Sequence, residues 1–180
     1  MRKYAWLFVV FLLFLTYYLS SIPGLRVIPV LRQFNILLNR IDLSLSQLAQ
    51  AIAGRLPEEL APAKTLTRDF MAYAGENPVI IEFILRKIAH VGLFFVITMA
   101  FFLLLRYYLK QPWAAVSVSF TAATVVAVLD EYHQSFVPGR TGSPVDVLIN
   151  LVGVVLALCL IVLSYFLAST HIKEKEDRQR

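Results

Sequence analysis

Four long apolar runs without any Asp, Glu, Lys or Arg constrain the fold of this chain more than any other feature. They are Tyr4–Ile22, Ile88–Leu105, Trp113–Leu129 and Val147–Ala168. The length of each run is close to that needed for a helix to cross the hydrocarbon core of a membrane, which is about 17 to 25 residues. The sequence therefore predicts an all-α membrane protein with four transmembrane helices.

The overall composition agrees with a membrane location. Of 180 residues, 58% are hydrophobic and 16% are charged, whereas globular domains contain about 45 to 50% apolar and about 25% charged residues. The net charge of +5 is explained by orientation in the membrane and by attraction to anionic headgroups. We therefore expect membrane lipids as partners and no nucleic acid. The lone Cys159 excludes an intrachain disulfide, and we expect it to be a small buried residue.

The first apolar run has two interpretations. Met1-Arg2-Lys3 followed by apolar residues and Leu19-Ser20-Ser21 could be a cleaved signal peptide. However, the run is longer than the usual apolar region of about 7 to 15 residues, and no small-x-small cleavage site follows it. We predict that it is retained as a helix.

The orientation follows from the basic residues, because lysines and arginines near short loops stay cytoplasmic. The loop between the third and fourth runs carries only Arg140. On the other side lie Arg2, Lys3, Arg106, Lys110 and the basic residues of the tail 171–180. We predict a protein of the cell membrane with both termini cytoplasmic, a disordered cytoplasmic tail 171–180, and an outer-face loop Asp130–Asp146.

An external segment, residues 23–78, separates the first two runs. Apolar residues recur from Val27 to Ile52 at spacings of four and three, which predicts an amphipathic helix ended by Gly54 and Pro57. This helix would lie in the membrane interface or pack against the bundle or a partner, and we favour a structural brace over a recognition helix. Residues 1–180 are otherwise one membrane domain.

Polar residues gather near the predicted outer ends of helices two and three. Lys87 and His90 are three residues apart and share one helical face. Asp130, Glu131 and Gln134 end the third helix, where the spacing puts Gln134 on a face with one or both acids. Each group alone fits a solvated interface, but ionisable residues in membrane helices are costly and by default mark function.

The start of the fourth helix carries further polar groups. Ser143 is predicted as its N-cap, Pro144 as its first residue, and Asp146 as the acid that closes a capping box. A helix start beside Arg140 is also suited to an anion, provided that Lys87 or Arg140 neutralises Asp146.

One turn further along the fourth helix, Asn150 is predicted to bond to a neighbouring helix. Gly153 would permit close contact between helices.

These residues predict a shallow polar site on the outer face. Asp130, Glu131 and Asp146 could hold a divalent cation, although no compact metal spacing supports it, and the sequence defines no cofactor. The candidate catalytic residues are His90, Asp130 and Glu131. The candidate binding residues are Lys87, Gln134, Arg140, Asp146 and Asn150.

The segments LRKIAH and DEYHQSFVPGRTGSPVDVLIN together resemble the VanZ-like family of small bacterial membrane proteins. The family pattern is Lys-x-x-His, then Asp-Glu-x-x-Gln-x-Phe-x-Pro-x-Arg leading to an Asp, and the resemblance covers roughly Ile80 to Tyr165. The segment Val27–Ile52 lies outside it. The matching positions are Lys87, His90, Asp130, Glu131, Gln134, Phe136, Pro138, Arg140 and Asp146.

The sequence departs from the family pattern at two places. Many members have an acid and a tyrosine where this chain has Leu93 and Phe94, and a second acid where it has Asn150. The resemblance implies a role in the cell envelope, and the family's namesake is linked to resistance to the glycopeptide teicoplanin.

Three classes of function are consistent with these features. The first is an envelope protein whose outer-face site handles an anionic lipid-linked or wall-derived group, with His90 as acid or base and Arg140 as anion ligand. The second is a non-catalytic membrane scaffold or partner-binding protein. A transporter is disfavoured, because the ionisable groups lie at one end and not at mid-membrane.

Overall fold

The computed structural model describes residues 2–25 and 78–179, together with single positions at 29, 33 and 36. Apart from these three positions, the predicted amphipathic helix Val27–Ile52 lies outside the described residues. The chain divides into two compact units, residues 1–25 with 87–180 and residues 26–86. The first unit contains the candidate site.

Every regular element of the described residues is a helix. The helices are α1 (Arg2–Ser21), α2 (Pro78–Leu105), α3 (Pro112–Gln134) and α4 (Pro144–Gln179). All four are long and apolar enough to cross a membrane. The described part therefore confirms the prediction of four apolar helices in an all-α protein.

Proline and serine define where the helices begin. Proline is the first residue of α2, α3 and α4, where its missing N–H costs no helical hydrogen bond. The Ser143 hydroxyl accepts a hydrogen bond from the Val145 N–H at 3.2 Å, which confirms Ser143 as the N-cap of α4. The prediction that Asp146 closes a capping box is wrong. Its carboxylate pairs with Lys87 of α2, because an opposite charge attracts it more strongly than a backbone N–H does.

Small residues on α3 allow the helices of the first unit to pack closely. Ala115, Ser119, Ala123 and Ala127 are all buried at a spacing of four residues, so they form one face of α3. Small side chains let neighbouring helices approach in a membrane, where packing drives association. The core around them is apolar and includes Val9, Leu12, Phe94, Ile97, Ala100, Leu104 and Val154.

Gly153 marks the close approach of α4 to α2. A Cβ atom built at this position would overlap the backbone carbonyl oxygen of Val91. Only glycine leaves room for that carbonyl, which confirms the prediction that Gly153 permits close helix contact.

Two expectations about α4 are wrong. Cys159 is exposed on the helix surface, because in a membrane the lipid-facing surface is as apolar as the core and need not exclude a cysteine. The helix also continues to Gln179 through the tail that the sequence predicted to be disordered. Lys, Glu, Gln and Arg are good helix formers, and the apolar helix before them supplies the nucleus.

Candidate functional site

Polar side chains from all four helices meet at one end of the first unit. The end of α1 and the end of α3 lie there beside the α2 segment that carries Lys87 and beside the start of α4, as the contacts below show. We call this group the polar cluster. It comprises Ser20, Lys87, His90, Asp130, Glu131, Gln134, Asp146 and Asn150.

Asp130 is the most fully bonded member of the cluster. Its Oδ1 accepts a hydrogen bond from the Ser20 hydroxyl at 2.5 Å, and its Oδ2 accepts one from Gln134 Nε2 at 2.8 Å. Gln134 Nε2 also lies 3.3 Å from the Ser20 oxygen, to which it donates. The three side chains are buried and join α1 to α3, so the predicted pairing of Gln134 with an acid is confirmed.

His90 approaches the same acid from α2. Its Nδ1 lies 4.0 Å from Asp130 Oδ2, beyond hydrogen-bond distance, and Nδ1 is buried with no hydrogen-bond partner among the described residues. One turn before it, Lys87 Nζ pairs with Asp146 Oδ1 at 2.5 Å. This ion pair joins α2 to α4, and Lys87 is thus a residue that neutralises Asp146.

Glu131 faces α4. Its Oε1 accepts a hydrogen bond from Asn150 Nδ2 at 3.2 Å, which confirms that Asn150 bonds to a neighbouring helix. The Ser143 N–H also faces this carboxylate. Glu131 Oε2 and Asn150 Oδ1 are buried without a hydrogen bond, and each such orphaned group costs about 1 to 3 kcal/mol.

The loop after α3 folds back against the helix ends. Gly139 has a φ of 76°, a left-handed conformation that glycine adopts without strain. A Cβ atom at Gly142 would overlap the backbone carbonyl oxygen of Glu131, so this glycine lets the loop touch the end of α3. Both glycines therefore hold the loop beside the polar cluster.

Arg140 connects this loop to α1. Its Nη2 donates a hydrogen bond to the Leu19 carbonyl at 3.0 Å. A cation in the last turn of a helix interacts favourably with the helix dipole. The sequence paired Arg140 with the start of α4, and did not predict this contact with α1.

Ser20 is the residue that the sequence did not identify as part of the site. Ser20-Ser21 is the polar pair near the end of the first apolar run, where the sequence pattern bears only on signal cleavage. The signal that could have found it is topology, because the end of α1 and the end of α3 lie on the same side of a membrane. A hydroxyl at that depth needs a partner, and Asp130 is one.

His133 lies outside the polar cluster. Its Nε2 is 2.9 Å from the Ser21 hydroxyl oxygen, and its ring lies 4.5 Å from the ring of Tyr17. Both contacts are with α1, and neither is with a residue of the polar cluster. His133 therefore packs between two helices.

The residues with metal-compatible spacing differ from those that the sequence suggested. His90, Asp130 and Glu131 each offer one ligand atom, and these atoms all lie within 4.8 Å of one another. Asp146, the third carboxylate of the predicted set, is instead taken by Lys87. The metal-compatible set in the structure therefore contains the His90 imidazole in place of the Asp146 carboxylate.

The fold and the cluster define a multi-pass helical membrane protein with ionisable side chains buried at one end of its helices. The chain belongs to the VanZ/LLP1 family, whose model matches residues 4–166. No curated protein and no solved structure matches it. The match is wider than the resemblance in the sequence: it includes α1, which contributes Ser20, and runs through the segment Val27–Ile52.

Proposed function

We propose that this chain is a cell-envelope membrane protein whose polar cluster faces away from the cytoplasm and binds an anionic lipid-linked or wall-derived group. The observation that carries the proposal is the clustering at one end of the protein of two buried acids with a partly buried acid, lysine and histidine, all contributed by three helices. Ionisable groups in membrane helices are expensive and usually serve function. The opposite loop, Arg106–Gln111, contributes no acid.

The cations beside the cluster supply the attraction for an anion. Lys87 pairs with Asp146 at the edge of the cluster, and Arg140 is half-buried next to the end of α1. A guanidinium matches the geometry of phosphate and carboxylate groups. We assign anion binding to Arg140 and Lys87, with Gln134, Asp146 and Asn150 lining the site.

The acids and the histidine supply the chemistry. His90 has an unpartnered ring nitrogen, so it is available to give or accept a proton from a bound group. Asp130, 4.0 Å away and fixed by Ser20 and Gln134, places a carboxylate beside the ring. Glu131 lies beside them as the second carboxylate. In this proposal the catalytic residues are His90, Asp130 and Glu131.

Labelling of single cysteines tests the orientation. In a Cys159→Ala background, Thr141→Cys lies in the loop after α3 and Lys110→Cys in the loop before it, and both positions are exposed. A membrane-impermeant maleimide should label the Thr141→Cys protein in intact cells, and the Lys110→Cys protein only after permeabilisation. The reverse pattern would put the polar cluster on the cytoplasmic side and end this proposal.

Lipids that copurify with the protein test the ligand. Mass spectrometry should detect an anionic lipid or lipid-linked precursor with the wild type and its loss from Arg140→Ala. Arg106→Ala is the matched control, because Arg106 donates hydrogen bonds to the carbonyls of Leu109 and Lys110 at the other end of the helices. Equal retention of that lipid by both variants would show that Arg140 does not bind it.

Glycopeptide susceptibility tests the envelope role. The family name points to teicoplanin, so cells that depend on this protein should become more susceptible with His90→Ala or Glu131→Gln at normal protein levels. Wild-type susceptibility in both variants would exclude these residues from the function.

A scaffold is the second candidate, and the hydrogen bonds between helices favour it. Ser20 to Asp130 and Asn150 to Glu131 link α1, α3 and α4, which is what a network that fixes helix order would do. Thermal unfolding in detergent separates the two functions. A scaffold predicts that His90→Ala and Glu131→Gln lower the melting temperature, whereas changes in a functional site leave it unchanged or raise it.

A further inference from the structure

We propose that His90, Asp130 and Glu131 bind a divalent transition-metal cation within the polar cluster. One nitrogen and two carboxylate oxygens, one from each residue, lie within 4.8 Å of one another. In a tetrahedral site with bonds of about 2.0 to 2.2 Å, the ligand atoms lie about 3.4 Å from one another. Shifts of less than about 1 Å would therefore bring the three atoms around a single ion.

Atoms without hydrogen bonds supply the second, independent observation. Asn150 is 1% exposed, its Oδ1 has no hydrogen-bond donor, and its amide group contacts the Glu131 carboxylate. Glu131 Oε2 and His90 Nδ1 are also buried without partners. Two of these atoms are acceptors, and the ring nitrogen becomes one in the appropriate tautomer. A cation satisfies such a set, whereas a further anion would not.

The charges of the cluster also favour a cation. Asp130 and Glu131 are adjacent carboxylates, and Glu131 makes no ion pair with any described lysine or arginine. Buried charges are normally paired or coordinate metals. With a neutral imidazole, the three ligands carry two negative charges, which a dication balances.

Asp130 is held in the way that metal ligands usually are. Ser20 donates to its Oδ1 and Gln134 to its Oδ2. Hydrogen bonds of this kind fix the orientation of a ligating carboxylate and are common around metal sites. Each oxygen retains lone-pair capacity for an ion.

The ligand types select the class of metal. Imidazole suits Zn²⁺, Fe²⁺, Cu²⁺ and Ni²⁺, and carboxylates suit Mn²⁺ and Mg²⁺, so a mixed set favours Zn²⁺ or Mn²⁺ over Mg²⁺. Three protein ligands are typical of catalytic zinc sites, which keep a position open for water or substrate. That open position would accept an oxygen of the anionic group. The inference rests on the proposed function for that last step only.

Metal binding by the purified protein tests the inference without any lipid. The full chain, carrying an affinity tag without histidines, is stripped with EDTA and titrated with Zn²⁺, Mn²⁺ and Mg²⁺ by calorimetry, with elemental analysis after gel filtration. We expect one Zn²⁺ or Mn²⁺ per chain and weaker Mg²⁺ binding. Glu131→Gln and His90→Gln should each weaken binding by about tenfold or more, since even the partners of metal ligands account for about 10- to 100-fold.

His133→Gln is the matched control, because His133 is on α3 but outside the polar cluster. It should bind the metal as the wild type does. If the wild type binds no ion, or if His133→Gln loses as much affinity as His90→Gln, the site does not exist.

A measurement on the wild type guards against variants that do not fold. X-ray absorption of the zinc-loaded protein should show one imidazole, oxygen ligands and no sulfur. Sulfur or several imidazoles would place the ion elsewhere and overturn the inference. If the protein binds metal but Arg140→Ala loses no anionic lipid, the metal site stands and the proposed lipid ligand is wrong. If Arg140→Ala loses the lipid but the protein binds no metal, the lipid ligand stands and the metal site is wrong.

Discussion

The two sides of the polar cluster solve the problem of a buried carboxylate differently. On the α1 side, Asp130 has a donor on each oxygen and lies near His90. On the α4 side, Glu131 has Asn150 on one oxygen and no hydrogen bond on the other. The two acids are neighbours in the chain and are almost equally buried. The difference indicates that both oxygens of Asp130 are fixed between α1 and α3, while one oxygen of Glu131 is left available.

The largest effect is expected where the α4 side depends on the approach of α4 to α2. Gly153→Ala should destabilise the protein by about 2 to 3 kcal/mol, because its Cβ overlaps the Val91 carbonyl and packing must shift. Thermal or denaturant unfolding in detergent measures this loss.

The matched control is Gly92→Ala on α2, where a Cβ would meet nothing within 4 Å. It should be neutral or stabilising by up to about 1 kcal/mol through helix propensity. Equal losses at both glycines would mean that the α2–α4 contact contributes little.

A smaller loss is expected on the α1 side. Asp130→Asn replaces one acceptor oxygen with an NH₂ group that faces either Ser20 or Gln134, so at least one hydrogen bond must be lost or reversed. We expect a loss of about 2 kcal/mol, measured by the same unfolding assay. A stability equal to that of the wild type would contradict the view that Asp130 holds α1 to α3.

Ser20→Ala removes a single donor from the same side. The expected loss is about 1 kcal/mol, the typical value for one hydrogen bond. Ser117→Ala on the exposed surface of α3 is the control and should change the melting temperature little. If both serines matter equally, the hydrogen bond from Ser20 has no special weight.

The smallest effect is expected at Glu131. Glu131→Gln removes a buried charge that has no ion pair and retains an oxygen to accept from Asn150, so stability measured with EDTA present should be unchanged or slightly raised. A loss larger than that of Asp130→Asn would reverse the comparison between the two sides and would support the scaffold.

Local features of this site could be predicted from the sequence, because they depend on helix periodicity and end chemistry. The spacing of four places Gln134 against Asp130, and Ser143-Pro144 starts α4 as expected. Charge-free runs define the four helices, and the alternation of helices puts their polar ends on one side.

Contacts between distant segments could not be predicted in the same way. These contacts depend on how the helices are arranged around one another. They include Ser20 with Asp130, Arg140 with Leu19, and His90 beside Glu131. The exposed Cys159 illustrates the difficulty, because lipid and protein core are equally apolar. Hydrophobic patterning therefore does not distinguish the two faces of such a helix.

Asp130 and Glu131 also differ in whether their hydrogen-bond partner is synthesised before or after them. Ser20, the partner of Asp130 on α1, is synthesised before it, whereas Asn150, the partner of Glu131, is synthesised after it. When α3 leaves the translocon, Asp130 can bond at once to an inserted helix. Glu131 meets Asn150 only after α4 is synthesised, so in a chain truncated before Asn150 this carboxylate would lie in the bilayer without that hydrogen bond.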